Sequence, residues 1–162
     1  MLRIRPAEPD DVALVLCLIR ELAEYERQPD AVKATESDLL RDGFSEPRRF
    51  HCVIAEWNGE PAGFALFFYN YSTWNGRAGI YLEDLFVRLP FRRRGIGRAI
   101  FTYVARRAVD ESLGAVVWHV LDWNQPAIDF YKSIGAHLRP EWLGMRLTGE
   151  ALLRVARVEL ID

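Results

Sequence analysis

The chain has 162 residues, half of them hydrophobic and 27% charged, with a formal charge of −2, which suits one domain spanning residues 1–162 and excludes a disordered chain. Its longest run without charged or hydrogen-bonding side chains, Pro61 to Phe68, is far short of the ~20 residues of a membrane helix. Arg3, Arg5, Asp10 and Asp11 argue against a secretory signal, and Cys17 and Cys52 alone make neither a metal cluster nor a disulfide framework, so a cytoplasmic protein without a metal or a membrane partner is expected.

Leu2–Arg5 alternates as a short strand, closed by Pro6. Val12, Val15, Leu16, Ile19, Leu22 and Ala23 recur at helical spacing behind Pro9, Asp10 and Asp11. Thr35-x-x-Asp38 resembles a capping box with Asp in place of Glu, opening a short helix that Gly43 is expected to stop. Phe50–Glu56 and Ala62–Tyr71 read as strands around the hairpin turn Trp57-Asn58-Gly59-Glu60. A third strand, Gly79–Val87, follows Asn75-Gly76. Ile96, Ala99, Ile100, Tyr103, Val104 and Ala108 mark one helix face, ending near Gly114. Ala115–Leu121 is an apolar run expected to be a strand buried on both faces. Asn124 is placed to cap a helix that ends at Gly135, with Pro126 in its first turn. Trp142–Leu147 reads as a last strand, and Thr148 as the cap of a helix through Ala156. Antiparallel hairpins followed by a β–α–β crossover predict an α/β fold: a mixed, mostly antiparallel sheet with helices on both faces.

The charge is unevenly placed. Seven arginines and no acid lie between Arg88 and Arg107, whereas Glu21 to Glu46 holds eight acids against Arg27, Lys33 and Arg41. Solvated helix faces would account for both. An anionic partner at one place and a cationic one at another would also fit, although charge alone favours the solvated faces. Inside the basic stretch, Arg92-Arg93-Arg94-Gly95-Ile96-Gly97 joins a predicted strand to a predicted helix, followed by Arg98. Glycines let backbone approach a ligand closely, and a helix start offers unpaired N–H groups and partial positive charge. A pyrophosphate site is the reading that uses all of these. The dinucleotide fingerprint would need glycine where Ile100 stands, and a P-loop would need Gly-Lys-Ser/Thr, which is absent. A pI near 6.0 argues against a nucleic-acid surface.

Arg92-x-x-Gly95-x-Gly97 resembles the acyl-CoA motif R/Q-x-x-G-x-G/A of the GNAT superfamily of N-acetyltransferases. Tyr81-Leu82-Glu83-Asp84-Leu85-Phe86-Val87, Trp123-Asn124-Gln125-Pro126 and Phe130-Tyr131-Lys132 resemble its spermidine/spermine (diamine) branch. So do Glu21-Leu22-Ala23-x-Tyr25-Glu26 and Asp38-Leu39-Leu40-x-Asp42-Gly43-Phe44. The resemblance runs from about Arg3 to Leu153. It implies a GNAT-like fold with acetyl-CoA as co-substrate. Backbone N–H groups of about Arg93, Arg94, Gly95, Ile96, Gly97 and Arg98, with Arg92, would hold the pyrophosphate. Leu85, Phe86 and Val87 would pair with the pantetheine arm, and Asn124 would contact the coenzyme. A homodimer follows from the resemblance alone.

Acetyl transfer to an amine needs the free base. An alkylammonium of pKa about 10.4 is neutral in roughly one molecule in 2,500 at pH 7, a deficit of ~4.6 kcal/mol. Glu83 and Asp84 interrupt an otherwise apolar strand; adjacent strand residues face opposite ways, so one carboxylate is expected to be partly buried. A structural ion pair would also explain them. The resemblance implies Glu83 as base through water and Asp84 as the acid that binds the ammonium. Tyr131 shares a helix face with Ala127 and Ile134, as a core tyrosine would; the resemblance instead makes it the general acid for the departing thiolate and a coenzyme neighbour. Tyr25 and Trp74 match substrate-pocket positions, where aromatic faces can hold an alkylammonium, and ordinary packing would suit them as well. His51, His119 and His137 are isolated and read as structural. Ser72-Thr73-Trp74 and Leu143-Gly144-Met145 depart from the polyamine pattern, so a diamine or a thialysine-like amino acid fits as well as spermidine. The reading is an N-acetyltransferase of a small cationic amine. A catalytically silent acyl-CoA sensor and a peptide N-acetyltransferase are the alternatives.

Overall fold

The computed structural model describes residues 1–157; residues 158–162, which the single-domain expectation includes, lie outside the described residues. Packing divides the chain into two compact units, Met1–His119 and a second that begins at Val120.

The first unit is built on one sheet of five strands in sequence order: β1 (Leu2–Pro6), β2 (His51–Trp57), β3 (Glu60–Ser72), β4 (Arg77–Val87) and β5 (Val116–Val117). β1 to β4 are antiparallel neighbours, and β5 pairs parallel to β4. The β2–β3 hairpin turns where its sequence dictates, with Asn58 at φ 54° and Gly59 at φ 87°, the left-handed pair that a two-residue hairpin loop requires. Alternation along the strands divides the core. Cys52, Ile54, Phe64, Leu66 and Phe86 meet helix α1 (Val12–Tyr25) and helix α2 (Glu36–Phe44) on one face. Val53, Ala55, Ala65, Phe67, Ile80 and Leu82 meet helix α3 (Ile96–Asp110) on the other. The mixed, mostly antiparallel sheet with helices on both faces is thus as expected.

Local signals set most helix ends. The Thr35 side chain accepts from the Asp38 N–H while Asp38 accepts from the Thr35 N–H, so the capping box forms with aspartate. Gly43 does not stop α2. It lies inside the helix and is buried, and a Cβ on it would come within 2.5 Å of the Phe50 ring. Close packing, not left-handed geometry, requires glycine there. The strand expected over Ala115–Leu121 shrinks to Val116–Val117, both only half-buried. β5 pairs Ile80 with Val116 and Tyr81 with Val117 and then ends.

In the second unit, helix α4 (Gln125–Ser133) begins at Asn124, which is buried and whose Oδ1 accepts from the Ala127 N–H at 3.4 Å. Gly135 follows the helix at φ 93°. Helix α5 (Gly149–Ala156) starts at Thr148, whose side chain makes no capping bond. The strand expected over Trp142–Leu147 does not form. Leu143 and Met145 are 85% and 94% exposed, so the segment has apolar residues but no strand pairing.

Candidate active site

The site grows from a fault in the β3–β4 ladder. Leu82 faces Phe67 and Asp84 faces Leu66, so Glu83 is an extra residue, a β-bulge. The bulge resets the alternation. Leu82 belongs to the α3 side of the sheet, yet Phe86 belongs to the α1 side. Asp84 is left half-buried, and Glu83 is exposed. Burial, then the charges of Glu83 and Glu26, push the Asp84 carboxyl up to about 7. Glu26, the first residue beyond α1, is itself half-buried, and burial raises its carboxyl above the usual range. Three acids therefore share one region, Glu83 and Glu26 both bearing on Asp84. Asp84 is held in a state that an added cation would relieve.

Beyond Tyr81, β4 has no strand on its β5 side among the described residues. Leu82–Val87 therefore has no strand partner on that side, the kind of edge to which a ligand can hydrogen-bond, and its Val87 carbonyl already accepts from Arg92 Nε. Leu85 and Val87 pack on the α3 side and Phe86 on the α1 side, which fixes the strand.

The strand runs into the arginine loop. Arg93 adopts φ 62° and Gly95 φ 77°, and α3 starts at Ile96. Nothing lies within 4 Å of a Cβ built on Gly95, and one on Gly97 would meet only Val87 Cγ2 at 3.7 Å. A Cβ at either glycine would therefore stand in space the protein leaves open; Arg93 and Arg98 beside it are exposed, and the Arg94 guanidinium lies over the Trp57 ring, 5.5 Å from its centre. Such a cradle fits a pyrophosphate. Since the protein itself leaves room at Gly97, Gly97→Val is expected to lower affinity for a coenzyme at least tenfold in calorimetry, with a melting temperature close to that of the parent.

Arg92 behaves differently from its neighbours. Its Nε donates to the Val87 carbonyl at 2.8 Å, and its guanidinium lies 4.3 Å from the Tyr25 ring centre and 5.8 Å from that of Phe86. It braces the loop against β4 and α1. Tyr25 is brought to the site by this stack, next to Glu26, with its ring facing an arginine. Trp74 lies at the other end of β4, in the turn after β3, and is 84% exposed. Arg88 binds Glu21 through Nε at 2.8 Å and Nη2 at 2.6 Å. Arg41 is paired with Asp38 and Asp42. Part of both charge runs is therefore ordinary ion pairing. Tyr131 sits half-buried on α4, in the second unit, beside Phe130, with ring centres 5.2 Å apart.

Sequence reasoning assigned no role to Glu26, although it stands directly after Tyr25 in one of the resembling segments. The bulge at Glu83 also went unread, since register with β3 creates it. No cluster of three His, Cys, Asp or Glu able to hold a metal occurs among the described residues. No helix among them is long and apolar enough to cross a membrane.

An antiparallel sheet with a bulged acidic strand, an open edge and a glycine cradle at a helix start is the frame of an acyl-transferring enzyme. The pattern of the acetyltransferase (GNAT) family matches residues 17–136. A thialysine N-epsilon-acetyltransferase of Bos taurus is 43% identical over 164 residues, covering 94% of this chain and 96% of that protein. A human spermidine/spermine N(1)-acetyltransferase-like protein 1 is 36% identical over 168 residues, covering 99% of this chain but 23% of that longer protein. Among solved structures, an integron cassette protein from the mobile metagenome of V. cholerae superposes with a TM-score of 0.81 at 27% identity, covering 97% of this chain and 98% of that one. The chain belongs to the acetyltransferase (GNAT) family and is an N-acetyltransferase. Enzymes of this family use acetyl-CoA.

Proposed function

We propose that the enzyme acetylates a primary amine of a small cationic substrate, a diamine, polyamine or thialysine-like amino acid, by direct attack. The observation that carries this reading is the trio Glu26, Glu83 and Asp84 at the bulge of β4. A half-buried acid pushed up to about 7 by burial and like charge is a binding site for an ammonium group. The relatives' names point to the same chemistry.

Acetyl-CoA supplies an activated acetyl thioester. The N–H groups of about Arg93–Arg98 hold its pyrophosphate, with Arg92 bracing the loop. The open edge of Leu85, Phe86 and Val87 takes the pantetheine arm, and Asn124 contacts the coenzyme. Asp84 and Glu26 bind the ammonium, and Glu83 accepts its proton through water. Tyr25 borders the substrate, and Trp74, at the other end of β4, could meet only the far end of an extended one. The Tyr131 phenol gives a proton to the departing thiolate. The localisation read from the sequence, cytoplasmic, and the homodimer implied by the resemblance belong to this proposal too.

Peptide competition separates the readings. Diamines should inhibit acetylation of one another, and lysine-containing peptides should not compete. Strong competition by peptides alone would favour a peptide acetyltransferase. Tight coenzyme binding with no thiol release against any amine would favour a sensor.

A further inference from the structure

The reaction releases a net proton. The ammonium loses two protons in becoming an amide N–H, and the thiolate takes one. Glu83 can accept the other but must pass it on before the next turnover. The neighbouring hydrogen bond offers a route. The Tyr81 hydroxyl and His119 Nδ1 are 2.5 Å apart, joining β4 to the residue two beyond the end of β5. The bond lies at the fork where β4 and β5 stop pairing, since Tyr81↔Val117 is their last pair. The Tyr81 ring is fixed by stacking on Phe68, 5.0 Å between centres. Glu83 stands two residues further along β4; burial first, and then the Glu83 charge, raises the Tyr81 phenol. His119 is exposed.

We propose that Tyr81 and His119 form the proton exit of the active site, carrying to solvent the proton that Glu83 takes from the amine. This rests on the acetyl-transfer reading above. In this relay the Tyr81 hydroxyl donates to Nδ1, and the imidazole carries its own proton on Nε2. When protonated Glu83 gives a proton to the Tyr81 oxygen, the phenol proton passes to Nδ1 and the Nε2 proton leaves to water. Glu83 ends as the carboxylate, Tyr81 as the phenol and His119 as the Nδ1–H tautomer, which proton exchange with water returns to Nε2–H before the next turnover, and no oxidant or co-reactant is needed. Glu83 is exposed, and Tyr81, two residues back on the same strand, is its outlet through the protein. His119 acts through Tyr81 and is a positioning residue.

The test compares the parent enzyme with His119→Ala, His119→Gln and Tyr81→Phe in weak buffer. kcat should fall on the order of tenfold in each, less than the ~10²–10⁴ of a group that touches the reacting atoms. KM for the amine and affinity for the coenzyme should stay within about twofold. Added imidazole should restore kcat in His119→Ala and not in Tyr81→Phe. A lost structural bond would not respond to imidazole. A measurement without turnover is the imidazole ¹⁵N spectrum, which should show His119 with its proton on Nε2 in the parent and a mixed state in Tyr81→Phe. Unchanged kcat, a loss that imidazole leaves in place, or an Nδ1–H imidazole in the parent would overturn the proposal. Failure of the acetyl-transfer reading would appear instead in the parent enzyme, as no amine-dependent thiol release.

Discussion

Tyr131→Phe is expected to lower kcat by about 10²–10⁴-fold, the usual range for loss of a positioned acid. The thiolate of the coenzyme is the leaving group, and a phenol near pKa 10 is well matched to protonate it as it departs. Phenylalanine keeps the ring that packs beside Phe130 and leaves α4 its Asn124 cap. The melting temperature and coenzyme affinity should therefore hardly move. That combination, a large loss of kcat with fold and coenzyme binding intact, distinguishes an acid from a core tyrosine. A core tyrosine would lose stability in proportion to activity. Steady-state rates with saturating acetyl-CoA, beside a calorimetric titration of coenzyme, decide between them.

Asp84→Asn should separate function from stability in the opposite sense. Removing a charge-assisted contact to the ammonium costs about 1.5–3 kcal/mol, or roughly 10- to 100-fold in kcat/KM for the amine. In the parent, kcat/KM for the amine should fall as pH drops through about 7, because burial, Glu83 and Glu26 hold the Asp84 carboxyl there. In Asp84→Asn that limb should vanish. The stability effect follows by linkage. The native state keeps a proton on Asp84 between about pH 4 and 7 that the unfolded chain has released. Stability from this group is therefore present at acid pH and lost as pH rises through about 7. Asparagine has no such loss. Urea midpoints should show the variant more stable than the parent at pH 8, by up to about 4 kcal/mol, with little difference at pH 4. A variant that is less stable at pH 8 would mean that Asp84 is a satisfied structural acid.

Most elements were legible because short-range chemistry sets them. Asn58-Gly59 fixes the hairpin, Thr35 with Asp38 fixes the start of α2, and Asn124 with Pro126 fixes α4. The glycine loop was legible for the same reason. What escaped depends on partners distant in sequence. Gly43 looks like a helix stop until Phe50 is found against it. Ala115–Leu121 looks like a buried strand, but pairing with β4 ends at Tyr81 and leaves that side of Leu82–Val87 without a strand. The apolar residues of Trp142–Leu147 suggest a strand, but no local signal reports whether a neighbour exists to pair with. Glu83-Asp84 stood out as acids in an apolar strand. Alternation alone would have set Asp84 on the α3 face, and only the register with β3 shows the bulge that resets the faces along β4. Arg92 belongs to the recognised loop, yet its side chain turns to Tyr25 and Val87 instead of outward, a choice made by packing. Glu26 gains its meaning from burial near Asp84, which no spacing along the chain announces.

The central claim is acetyl transfer to a small amine at the acids of β4. The most direct measurement is the initial rate of thiol release from acetyl-CoA by the purified chain with thialysine, a short diamine, spermidine or a lysine-containing peptide as acceptor, and with none. Release should depend on the amine, should saturate with at least one small diamine or diamino acid, and should fall at least tenfold in Asp84→Asn. Release driven only by the peptide, or none above the amine-free rate with any small amine, would contradict it.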